Sequence, residues 1–368
     1  MQPGIKSKPI SDISRSCRMK RCCDIGEKSV LFLGTLFVLI AVIPLMNLSA
    51  QSLNIPSKHY GLSIGNSKEF TGVRFNFRDN HVKEINGLNF TLWKAGKQNT
   101  DAVVNGISLG IIPSAGYLKG IQIGIVGVAA EYEVKGISVG LLGAGSGKDL
   151  SGIGIGGLGI GSGGSLRGIF IGGLGAGAGG DVEGIVFGGL GAGAGGNMTG
   201  ISIGVLGAGA GGDLNGIVVG GLGAGTGASA SGILIGGLGV GTGEDMTGIV
   251  FGGLGAGCGR ELNGIAIGGL GVGAPIVRGL VFGGFGTGGQ DVQGVLLSGF
   301  WNQISREGSL TGLSASAFNL IKGNQTGLSL GIVNYAWHLN GFQIGLINYV
   351  KDNPKFLRLL PIINAHLD

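Results

Sequence analysis

The chain has 368 residues, of which 85 are glycine and 8 proline, with 43% hydrophobic and only 12% charged residues. Glycine near a quarter, against a usual ~7%, together with low charge and ample aliphatics excludes a disordered chain, and the scarcity of proline excludes collagen. The formal charge of +5 sits almost wholly in residues 1–28, where seven basic residues face three acidic ones. The remaining 18 basic and 17 acidic residues leave a near-neutral body with no electrostatic footprint for nucleic acid.

The basic segment runs into an apolar stretch at residues 30–46 (VLFLGTLFVLIAVIPLM) and then into NLSAQS. Basic, apolar and small-polar in that order is the pattern of an export signal, with cleavage after Ala50. The stretch exceeds the usual ~7–15 residues, and Leu48 stands where a small side chain is preferred, so an uncleaved single-span anchor is the alternative. Both readings export the chain beyond residue 52, and the second brings membrane association through this segment. Cys17, Cys22 and Cys23 lie in the leader, and Cys258 is alone in the body, so no internal disulfide is available. Cys258 occupies the slot of Ala178, Ala194, Ala210 and Thr226 in other repeats and reads as a small packed residue.

Residues 51–105 are richer in charge and aromatics (GVRFNFRDNHVKEINGLNFTLWK at 72–94) and read as N-terminal cap strands. From residue 106 to 300 a repeat takes over. A glycine before an aliphatic triplet recurs at Gly120, Gly136, Gly152 and onward to Gly264, always 16 residues apart, and continues less evenly through Gly279, Gly294, Gly312, Gly327 and Gly341. With that glycine numbered zero, position 1 is aliphatic (Ile153, Ile169, Ile185), as are position 3 (Ile155, Ile171, Phe187) and position 6 (Leu158, Leu174, Leu190). Position 8 is small and apolar, position 14 is mostly Leu, Val or Met, and position 2 varies freely from Ser138 to Phe170.

Steps of two, three and two between positions 1, 3, 6 and 8 break the period of a single strand. They predict two short strands joined by a glycine corner, with positions 1, 3, 6 and 8 sharing an inward face and position 14 as a third inward point. The expected fold is an all-β, Gly-rich parallel β-solenoid of about 16 residues per coil. Four buried aliphatics contribute roughly 6–12 kcal/mol per coil, less than the cost of ordering 16 residues at about 1–2 kcal/mol each, so coils stand only when stacked. The alternative is an up-and-down transmembrane β-barrel, favoured by a 32-residue alternation (Asp149, Ser165, Asp181, Asn197, Asp213, Ser229, Asp245). Against it, an outer wall needs a sustained period-2 apolar face, and Ile, Ile, Gly, Gly, Gly is not one.

Sequence motifs supply no chemistry. Gly154–Gly159 fits G-x-G-x-x-G but recurs in nearly every unit without a following helix, and GAGSGKD at 143–149 fails as a phosphate loop because Leu142 and Asp149 stand at its defining places. His59, His81, His338 and His366 have no metal-ligand spacing. One carboxylate in every second repeat is too sparse for calcium, which wants six to eight oxygens. The expectation is therefore no catalytic, cofactor-binding or metal site.

Residues 301–368 form C-terminal atypical repeats and a cap, with Asn319, Asn334 and Asn348 in place of the position-7 glycine and Tyr335 and Tyr349 after them. The unit in GLSLGIVNYA (327–336) and GFQIGLINYV (341–350) resembles the bacterial surface-repeat-containing proteins first recognised in spirochaetes. The glycine-saturated version ending in NPKFLRLLPIIN is similar to exported proteins of Bacteroidetes-type bacteria. The resemblance covers most of residues 60–368 and implies a periplasmic, outer-membrane or surface location in a Gram-negative envelope, with no reaction or ligand. An exported, non-enzymatic repeat scaffold is expected, with an outer-membrane barrel as the alternative.

Overall fold

The computed structural model describes residues 52–367; the export-signal reading of residues 1–50 lies outside the described residues. Among the described residues every regular element is a strand. The strand Leu166–Gly172 pairs in parallel with Asp149–Gly156 on one side and Val182–Gly188 on the other, each partner offset by 16 residues, as Gly168 aligned with Gly152 and Gly184 shows. A second short strand in each coil, such as Gly175–Ala178, stacks likewise between Gly159–Ser162 and Gly191–Ala194. Neighbouring units thus run in the same direction, which makes the fold a parallel β-solenoid and excludes the antiparallel meander of a barrel.

The corner lies where the parity break put it, but the inward face is the other one. Phe170 at position 2 is 0% exposed, whereas its neighbours Ile169 and Ile171 are 42% and 43% exposed. Leu158 and Leu174 at position 6 are half exposed as well. The core is built from positions 2, 8 and 14: Phe170, Val186 and Leu234; Ala176, Ala192 and Ala208; Leu166, Val182 and Met198. Inwardness follows a strict period of two from position 14 through the zero glycine to position 4. The apparent freedom at position 2 is volume exchange between coils. A Cβ on Gly154 would lie 2.8 Å from Cδ1 of Phe170 and 2.1 Å from Cδ1 of Ile160, so the large ring of one coil fills the space its small neighbour leaves.

The narrow interior also explains the two most rigid glycine positions. The zero glycine takes a positive φ in every coil, +131° at Gly168, and a Cβ there would stand 2.0 Å from the carbonyl oxygen of Gly152 in the preceding coil. At position 4, a Cβ on Gly172 would stand 1.9 Å from the carbonyl oxygen of Gly175, so the two strands of one coil meet backbone to backbone across the corner.

Parallel coils begin with Tyr60–Ile64 and Glu69–Arg78, inside the region read as cap strands. Only Leu53–Pro56 turns back antiparallel at the N-terminal end, and Leu359–His366 does so at the other, against Val333–Val350. Each hairpin covers a sheet edge that would otherwise present unpaired amides.

Candidate interaction surface

Turning positions 1, 3 and 6 outward gives the solenoid a wall. From Ile121 to Phe300 the outward side chains at positions 1, 3, 5 and 6 are aliphatic, Phe or Gly, without one heteroatom. All fifteen charged residues between Gly120 and Gly294 fall at positions 11–15, the turn and the start of the next strand, where position 15 borders the wall on the same strand face as positions 1 and 3. With each side chain roughly two-fifths to one-half exposed over a dozen coils, the wall presents on the order of 2,000 Å², against ~300–600 Å² for the largest apolar patch of a typical monomer. At the corner the Gly173 amide donates to the Gly156 carbonyl at 3.0 Å and that of Leu174 to Leu158 at 2.6 Å, so the N–H groups of the turn are bonded coil to coil.

The polar edge carries the alternating Asp, Ser and Asn residues. Their carboxylates and amides accept from the main chain of the following coil: Asp149 Oδ1 from the Ser165 amide at 2.9 Å, Asp181 Oδ1 from Asn197 at 2.7 Å, Asn197 Oδ1 from Asp213 at 2.8 Å. These side chains close backbone donors that the ladder leaves open, which gives the 32-residue alternation a role inside a solenoid. Exposed ion pairs decorate the same edge. Arg260 donates Nε to Asp245 Oδ1 at 2.6 Å, and that hydrogen bond holds the Asp245 carboxyl below its usual range and raises the guanidinium further.

The hydrogen-bonded side-chain networks inside the coils lie toward the ends, while the middle coils bury isolated hydroxyls such as Ser138 and Ser202. Arg74, at position 2 near the N-terminal end, is fully buried and donates to Asp79 Oδ1 at 2.6 Å and Asn89 Oδ1 at 2.9 Å. Thr91 Oγ1 donates to the other Asp79 oxygen at 3.2 Å. The sequence signal was the charge and amide density of residues 72–94, which the cap reading absorbed.

Near the C-terminal end the amides form a buried ladder: Asn302 to Asn319, Asn319 to Asn334 at 2.7 Å and Asn334 to Asn348 at 2.7 Å. Asn302 aligns with Thr287 and Val272, so the ladder occupies inward position 8 instead of the position 7 counted from the glycine. Outside it, Tyr335 and Tyr349 stack with ring centroids 5.3 Å apart, and Lys351 lies 4.2 Å over the ring of Trp337.

The histidines are not gathered. His338 pairs with Asp352, and among the described residues no group of three His, Cys, Asp or Glu side chains converges. Cys258 is half-buried beside the core, and burial pushes its thiol pKa up, as for a packed residue. A concavity of about 340 Å³ near the N-terminal end is lined by Lys94, Lys97, Asn99, Ser114 and Glu131; no nucleophile there is paired with a base. Comparison with family models, with curated proteins and with solved structures finds no match to this chain.

Proposed function

We propose that this chain is an exported, non-enzymatic repeat scaffold of the cell envelope or surface, working through its outer faces. The observation that carries the reading is the segregation of outward chemistry. An uncharged wall and a polar edge run unbroken over a dozen coils, the geometry of an extended contact surface. Solenoids use such long faces for attachment, whereas catalysis needs convergent groups held in a cleft. The basic-apolar-small order of residues 1–50 supports export.

Fractionation with protease treatment of intact cells tests this. The reading expects the protein in the envelope fraction, and digestion by external protease if it is displayed at the surface. Recovery in the soluble cytoplasmic fraction overturns it.

A further inference from the structure

We infer that the wall seats on a lipid bilayer, with the position 1, 3 and 6 side chains in the acyl region and the position 11–15 edge toward water. Three observations converge on lipid. The first is chemical: between Ile121 and Phe300 nothing on the outward side of positions 1–6 can hydrogen-bond except the backbone. The second is that the N–H groups at the corner of this backbone are engaged coil to coil. The Leu190 amide donates to the Leu174 carbonyl and the Gly189 amide to the Gly172 carbonyl at 2.9 Å, so the wall enters hydrocarbon with these N–H groups paired.

The third is where the undescribed chain ends. The apolar run 30–46 stops seven residues before the strand Leu53–Pro56, so a bilayer that engages this run lies within one short tether of the first coil. This last point rests on the uncleaved-anchor form of the envelope reading; the first two do not.

Dimension fixes the orientation. A dozen coils at about 4.8 Å each span roughly 55 Å, beyond the ~30 Å hydrocarbon core, so the solenoid lies along the membrane plane as a monotopic body. A second copy of the chain is the competing occupant, and the wall's relief argues against it. Position 3 changes between Ile171, Phe187 and Val219, and position 5 between Leu141, Gly157 and Val205. A dry protein interface needs a fixed complement to each such step, whereas acyl chains adapt to all of them. Because the wall carries no charge, zwitterionic lipid is sufficient and salt is irrelevant.

The test uses the full chain with phosphatidylcholine vesicles, plain and brominated on the acyl chains. Leu190→Trp reports from the wall and Glu244→Trp, at position 12, from the polar edge, each read against the wild-type tryptophans. Flotation with the vesicles is expected, with Leu190→Trp emission quenched several-fold more strongly than that of Glu244→Trp, at low and molar salt alike. A second variant, L174D/L190D/L206D, keeps its β-sheet circular dichroism because these side chains are half exposed, and it loses the flotation that depends on the wall.

Flotation with Leu190→Trp unquenched means the chain is held only by residues 30–46 and overturns the inference. So does the absence of flotation, or shielding of Leu190→Trp that requires protein dimerisation instead of lipid. A cytoplasmic result in the cell fractionation sinks the export reading and leaves these spectra unaffected.

Discussion

At position 8 the middle coils carry Ala176, Ala192 and Ala208, while the C-terminal coils carry Asn302, Asn319, Asn334 and Asn348 at the same inward place. Both regions wind on one backbone path with the same positive-φ glycine at each start. The difference teaches that the path is set by glycine and the main-chain ladder, and that the interior can then be filled either with methyl groups or with a hydrogen-bonded amide stack. The middle filling is interchangeable from coil to coil. The end fillings are not, since each Asn needs the next one, and Arg74 needs Asp79.

The sharpest break in that comparison is at the N-terminal end. Asp79→Ala leaves the buried Arg74 guanidinium without its carboxylate and should cost about 3–5 kcal/mol in denaturant unfolding, and replacing both residues by apolar ones should recover most of the loss. Next comes the shared path itself. Gly168→Ala and Gly327→Ala should each cost about 3 kcal/mol, because both need positive φ and both approach a carbonyl of the preceding coil within 2.2 Å. Gly241→Ala, with nothing within 4 Å of the new methyl, is the control and should be neutral or stabilising by about 0.5 kcal/mol. Unequal costs at Gly168 and Gly327 would mean that the two regions do not share one path.

In the amide stack, Asn334→Ala removes the acceptor of one Asn319 N–H and the donor to the Asn348 oxygen and should cost about 2–4 kcal/mol, roughly 1–3 kcal/mol per unsatisfied group. The middle should respond in the opposite sense. Ser202 is buried at position 2 between Val186 and Val218 with its hydroxyl unpartnered, so Ser202→Val should stabilise by about 1 kcal/mol. The smallest effect belongs to the exposed edge. The Asp245 carboxyl is held low by Arg260, so its contribution is complete above the ordinary carboxylate range and disappears as pH falls below about 4. Thermal melts of Arg260→Ala and wild type should therefore differ slightly at neutral pH and converge in acid.

Much of this was legible in the residues. The 16-residue interval fixed the coil, and the odd step between positions 3 and 6 fixed the corner, because a strand cannot change parity without turning. The inward face differs from the expected one for a physical reason. Ile and Leu at positions 1, 3 and 6 are the most regular apolar residues, and such regularity ordinarily signals burial. In a coil this narrow the interior is the place where volumes must compensate, so Gly154 beside Phe170 is the mark of the core, and uniform aliphatics mark an outer face whose side chains stay about half exposed. The amide ladder was visible as three asparagines, but its inward position was hidden by the shorter C-terminal coils, which shift the count from the glycine by one.

The claim on which the rest depends is that position 2 points in and position 1 points out, and two adjacent residues test it. Ile169→Ser and Phe170→Ser should be compared by denaturant unfolding in the same buffer. The account predicts a loss of about 1 kcal/mol or less at Ile169 and about 3–5 kcal/mol at Phe170; the reverse order would contradict it.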